Sequence, residues 1–132
     1  MIVLDASAAV AVLLNLGPYA PRIRERMESE GDDLHAPQLF EVEVINVLRR
    51  YALIREFSRR RSAELLEDLT TMRITRYPHT ALLSRMWELR HNLTAYDAAY
   101  VALAETLEAP LVTTDARLAQ APGIRASVEL YE

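Results

Sequence analysis

Apolar and polar positions follow two rhythms along this chain. Short, largely apolar runs at residues 2–4 (IVL), 34–36 (LHA) and 111–113 (LVT) are too short for helices and read as buried strands of a parallel sheet. Residues 73–76, centred on Ile74, predict a short edge strand, and residues 124–128 a fifth strand. Helical spacing marks residues 7–14, which end at Asn15-Leu16-Gly17-Pro18, and residues 19–30, which stop at Gly31. It also marks residues 58–69, with Ser58 as N-cap, residues 78–90 and residues 95–107. Pro37 is expected to open a helix reaching residue 52, because proline is tolerated in a first helical turn. Strands separated by helices predict an α/β architecture of three layers, a central parallel sheet of four to five strands with helices on both faces. No repeat, linker or low-complexity tract interrupts the pattern, so residues 1–132 are expected to form one domain.

Two of the apolar runs end in a carboxylate, MIVLD at Asp5 and LVTTD at Asp115. In open parallel sheets, functional groups gather at the carboxyl ends of the strands, so both aspartates fall on the edge where chemistry is expected. Each also has a purely structural reading. Asp5 and Asp115 sit where an aspartate caps a helix, Thr94 and Asp97 have capping-box spacing, and Glu43 fits a polar stripe with Asn46 and Arg50. Taken jointly, the four acids imply more. Carboxylates brought to one place repel one another unless protonated or neutralised by a cation. Oxygen ligands without cysteine or histidine suit Mg²⁺ or Mn²⁺ better than zinc. His35, His79 and His91 lack metal-ligand spacing and read as surface or packing residues. No GxSxG, P-loop or GxGxxG motif occurs, and three glycines leave little for a phosphate-cradling loop.

Composition narrows the picture. The chain has no cysteine, which excludes disulfides and thiolate metal sites. No apolar run approaches the length that spans a bilayer, and the N terminus lacks the basic region of a signal peptide, so a cytoplasmic protein without a membrane partner is expected. A net charge of −4 argues against binding nucleic acid by bulk electrostatics. Yet all fifteen basic residues are arginines, and six fall in RRYALIREFSRRR, residues 49–61. That cluster reads either as solvated helix ends or as a phosphate-contacting patch that includes Arg49, Arg50, Arg59 and Arg60.

Four segments together resemble the PIN-domain ribonucleases, and within them the VapC toxins of bacterial toxin–antitoxin pairs. They are the hydrophobic strand followed by Asp5-Ala6-Ser7, the P-x(5)-E-x-x-N-x-L stretch at Pro37, Glu43, Asn46 and Leu48, the LTAYDAAYVALA segment at residues 93–104, and LVTTDARL at residues 111–118. The resemblance covers essentially the whole chain. It implies a PIN-like domain in which Asp5, Glu43, Asp97 and Asp115 form an acidic site, with Asp5, Asp97 and Asp115 as metal ligands and Ser7, Asn46 and Thr113 in support. Glu41, two residues from Glu43, is the lesser alternative, since on a helix the two point roughly opposite ways. The implied activity is hydrolysis of RNA phosphodiester bonds assisted by one or two Mg²⁺ or Mn²⁺ ions. The implied assembly is a homodimer, held inactive by a VapB-type antitoxin because the chain carries no inhibitory tail of its own. A housekeeping RNA-processing nuclease with the same site and a non-catalytic RNA- or protein-binding module are the alternatives; the full set of four acids weighs against the second.

Overall fold

The N-terminal run is paired on both sides. In the computed structural model, which describes residues 1–31 and 33–132, strand β1 (Ile2–Leu4) lies between β2 (Leu34–Pro37) and β4 (Leu111–Thr113). β3 (Ile74–Tyr77) flanks β2 and β5 (Val128–Leu130) flanks β4. The order is therefore β3-β2-β1-β4-β5, with every pairing parallel. Val3 sits opposite both His35 and Leu111, and Leu4 opposite Val112. All three residues of β1 are fully buried, which is why the strand is continuously apolar where a half-exposed one would alternate. The order reverses between β1 and β4, and the crevice at the carboxyl end of such a reversal is the preferred ligand position of open α/β sheets.

Helices α1 (Ala6–Leu14), α2 (Ala20–Ser29), α3 (Phe40–Ile54) and α4 (Arg59–Thr71) group together, with α1 against the other three. On the sheet, α6 (Ala95–Leu107) packs against β1, β2 and β4 and is covered by α5 (Leu83–Glu88). A short helix, α7 (Ala116–Ala119), follows β4. Every residue from Ala98 to Ala104 is buried. A helix buried on all sides has little amphipathic stripe to show, and its alanines allow close approach to the sheet. Truncating Leu103 there would cost about 2–5 kcal/mol, lost burial and residual cavity combined.

Three predicted boundaries are corrected. Pro37 ends β2 and does not open a helix; it pairs in register with Tyr77, and the next amide, Gln38, continues the ladder to the Tyr77 carbonyl at 2.9 Å. A proline lacking its N–H is harmless at that final strand position. Residues 78–90 are not one helix but a 3₁₀ turn (Thr80–Leu82) leading into α5. The last strand is β5, beyond residues 124–127; that stretch is instead pinned by Glu105, which accepts from the Arg125 amide, while Arg85 donates to Glu105 and to the Gly123 carbonyl. His35 and His79 are packing residues, as expected: the His35 ring contacts the Tyr77 hydroxyl (2.7 Å) and Asp33 (2.5 Å), and His79 Nε2 accepts from the Leu39 amide.

Candidate active site at the carboxyl edge of the sheet

Asp5 occupies the N-cap position of α1, yet its side chain caps nothing. Instead, Oδ2 accepts two hydroxyl donors, Ser7 Oγ at 2.6 Å and Thr113 Oγ1 at 2.7 Å. A hydroxyl carries one proton, so the 3.2 Å contact between these two hydroxyls is not a further donation from either. Each hydroxyl also accepts: Ser7 from the Thr114 amide (3.1 Å) and Thr113 from the Asp115 amide (3.0 Å). The network saturates Oδ2 and fixes the carboxylate in place. The capping reading therefore fails for Asp5.

For Asp115 it holds. Oδ1 accepts from the amides of Arg117 (2.9 Å) and Leu118 (3.4 Å), the cap of α7, and Oδ2 is left 3.6 Å from Arg117 Nη2. Asp97 stands in the first turn of α6, where Thr94 Oγ1 accepts from the Asp97 amide as the capping-box spacing anticipates, leaving the carboxyl half-buried and close to Asp115. Glu43 comes from the first turn of α3, still at the sheet's carboxyl edge although that helix begins later than expected. Glu41 turns away into an ion pair with Arg76 of β3.

Burial lifts the Asp5 carboxyl above the usual range, and the charges of Asp97 and Asp115 add to this against the two hydroxyl donors. Burial likewise pushes Glu43 up to about 7; the Tyr100 hydroxyl pulls the other way, and Asp5 and Asp97 push with burial. Asp97 is raised by burial and then by Asp115. Four acids are thus close enough to feel one another. Tyr100, on α6 one turn after Asp97, is fully buried, and its hydroxyl is raised by burial and by Glu43. Hydroxyl and carboxyl face each other without closing a bond of normal geometry: Tyr100 Oη and Glu43 Oε1 are both buried with no partner. Buried oxygens without partners are rare and ask for a ligand or ordered water.

Asn46 and Arg49 are exposed and line a cleft with Glu43 and Tyr96, while Arg50 lines a second cleft with Ser7 and Asp115. Arg59 and Arg60 line neither; Arg60 pairs with Glu64 on its own helix. Sequence reading assigned no role to Tyr100 or Arg117. The signal for Tyr100 was its i+3 spacing from Asp97 on an otherwise apolar helix.

An all-oxygen set of mutually repelling acids with unpartnered buried oxygens has the donor chemistry of a hard-cation site. Among the described residues no three histidine, cysteine, aspartate or glutamate side chains stand together closely enough to hold a metal ion by themselves. An ion that keeps most of its waters and takes one or two carboxylates needs no such trio.

Comparison with known proteins agrees with this arrangement. The PIN domain family matches residues 2–124. The chain is 44% identical to ribonuclease VapC9 of Mycobacterium tuberculosis, over 89% of this chain and 88% of that one. It is 41% identical to ribonuclease VapC1 of the same organism, over 97% and 96%. A DNA-bound VapBC structure from Salmonella typhimurium superposes with a TM-score of 0.69 at 18% identity, covering 98% of both chains, a likeness of fold. With a parallel sheet reversing at β1 and β4, an acidic edge and relatives of this similarity over nearly its whole length, the chain belongs to the PIN-domain family and, within it, to the VapC ribonucleases.

Proposed function

We propose that this chain is a divalent-metal-dependent endoribonuclease toxin whose centre is Asp5, Glu43, Asp97 and Asp115. The observation that carries the reading is Asp5, a buried carboxylate at the sheet's reversal point, held by two hydroxyls and capping no helix. Among Asp5, Asp97 and Asp115, one or two would hold Mg²⁺ or Mn²⁺ directly and the rest through its waters, with Glu43 directly or through water. When bound, the ion would neutralise the acids and act as Lewis acid towards the scissile phosphate and the attacking water. The chain's own groups prepare that site. Ser7 and Thr113 orient Asp5 by saturating Oδ2, so that its other oxygen faces the ligand. Glu43 and Tyr100 present oxygens that the protein itself leaves unsatisfied. Asn46 and Arg49 stand where they can hold the flanking strand, and single-stranded RNA is the form whose phosphates and bases such groups reach.

A nuclease of this kind needs a restraint, and the fold shared with the toxin of a VapBC pair supports a VapB-type antitoxin in that role, in a protein we place in the cytoplasm. Exposed Val42, Ile45, Leu53, Ile54 and Leu66 on α3 and α4 suit an amphipathic partner helix. Exposed Leu83 and Trp87 on α5 suit a two-fold homodimer contact. Incubation of the purified protein with RNA in Mg²⁺ or Mn²⁺ tests the reading. Cleavage should leave 3′-hydroxyl and 5′-phosphate ends, stop in EDTA, and be lost in Asp5→Asn and Asp97→Asn variants that stay folded. Cyclic 2′,3′-phosphate ends, cleavage in chelator, or full activity in either variant would refute it.

A further inference from the structure

The cleft on the Asp115 side of the acidic centre has a volume of about 430 Å³, within the range of small-molecule sites. It is lined by Ser7 and Asp115, by two tyrosines, Tyr19 and Tyr51, and by two arginines, Arg50 and Arg117. Neither cation is committed to the fold. Arg50 is exposed and paired with no carboxylate among the described residues, and the Arg117 side chain is 91% exposed, 3.6 Å from Asp115. The rings, by contrast, are held. Both tyrosines are half-buried against the core. Tyr19 rests on the turn at Gly17, which has φ +55°; a Cβ there would come 2.8 Å from Tyr19 Cε1, so only glycine lets the ring lie where it does.

Packed aromatic rings beside exposed guanidinium groups, opening onto the proposed phosphodiester-cleaving centre, match the two halves of a nucleotide. Flat rings accept a base of any identity, and arginines accept its phosphate. A cationic peptide drawn to the carboxylates would meet Arg50 and Arg117 as like charges, which favours a nucleic acid in this cleft. We propose that it is the subsite for the RNA nucleotide adjoining the scissile phosphate, its base against Tyr19 and Tyr51 and its phosphate on Arg50 and Arg117. The proposal rests on the ribonuclease reading of the acidic centre.

The test uses the full-length protein in EDTA, where no cleavage is expected, and a fluorescent single-stranded RNA oligonucleotide followed by anisotropy. Tyr19→Leu and Tyr51→Leu keep the apolar packing, and a matching melting temperature confirms that they fold. Each should weaken binding on the order of 10-fold, while Tyr19→Phe and Tyr51→Phe bind like wild type. An abasic position scanned along the oligonucleotide should cost affinity at one register in wild type and cost nothing further in Tyr51→Leu. Unchanged binding by both leucine variants, or an abasic penalty that survives in Tyr51→Leu, overturns the subsite. So does a loss of antitoxin binding with RNA binding intact, which would assign the cleft to a protein partner. Cleavage by the wild type in Mg²⁺ or Mn²⁺ is scored separately: its absence refutes the ribonuclease reading, and ring-dependent binding still supports a nucleotide site.

Discussion

Replacing Glu43 by glutamine should stabilise the metal-free protein by an amount that grows from about pH 4.5 and is complete just above neutrality. The folded carboxyl titrates at about 7 against an ordinary 4.5, raised first by burial and then by Asp5 and Asp97. The folded state therefore binds the proton more tightly than the unfolded chain. Its contribution is fully present below about pH 4.5 and is lost as pH rises through about 7. At 1.36 kcal/mol per pH unit the ceiling is about 3 kcal/mol, and solvent at the open cleft screens this to about 1–2 kcal/mol. Glutamine keeps the shape and removes the charge. For a chain of this size that is a rise in Tm of about 4–8 °C at pH 8.5, and little change at pH 4.5. Calorimetry in EDTA at both pH values measures it. Equal stability of the two proteins at pH 8.5, or a gain of the same size at both pH values, would show that Glu43 does not carry a strained charge in the folded protein. Added Mg²⁺ should then close the gap at pH 8.5, since the ion relieves the repulsion that glutamine removes.

Three further outcomes follow from the same network. Thr113→Val removes one donor to Asp5 and the acceptor for the Asp115 amide, so urea unfolding should show a loss of about 2–3 kcal/mol together with reduced cleavage; full activity would show that the Thr113 hydroxyl does not position Asp5. Tyr100→Phe deletes a buried hydroxyl that faces Glu43 without closing a bond of normal geometry, so metal-free stability should hold or rise, and a marked loss would reveal a true bond to that oxygen. A basic residue of the antitoxin entering the acidic pocket should be replaceable by alanine with partial return of cleavage in the complex, because such a close charge pair is worth about 2–5 kcal/mol on truncation; a complex that stays inactive even in high Mg²⁺ is blocked by sterics alone.

What could be read from the chain was mostly local. Ser58 and Thr94 accept from the Arg61 and Asp97 amides at their helix starts, because a cap needs only three residues to define it. The parallel sheet was legible because IVL and LVT are too apolar and too short for anything but central strands. Pro37 misled for an equally local reason: its fixed φ suits the last position of a strand as well as the first turn of a helix. The competing readings of Asp5 and Asp115 could not be separated by sequence, since both follow a strand and precede a helix. Only the cross-sheet partner Thr113 distinguishes the hydroxyl-bound carboxylate from the capping one. Likewise Tyr100 faces Glu43, and Arg50 shares a cleft with Asp115, across elements that no periodicity relates.

The bond from Thr113 to Asp5 joins groups 108 residues apart. Bringing such distant points of a flexible chain together costs about 4 kcal/mol in loop-closure entropy alone, and the pairing of β1 with β4 is what repays it. Synthesis runs from the N terminus, so a chain interrupted between residues 98 and 110 carries Asp5, Glu43 and Asp97 but neither Thr113 nor Asp115. Its first strand lacks one of its two neighbours, Asp5 lacks one of its two hydroxyl donors, and its long apolar helix α6 has no complete sheet to cover. If Asp5 and Asp115 form the proposed centre, the growing chain stays inert until the strand that carries Thr113 has been made and paired with β1.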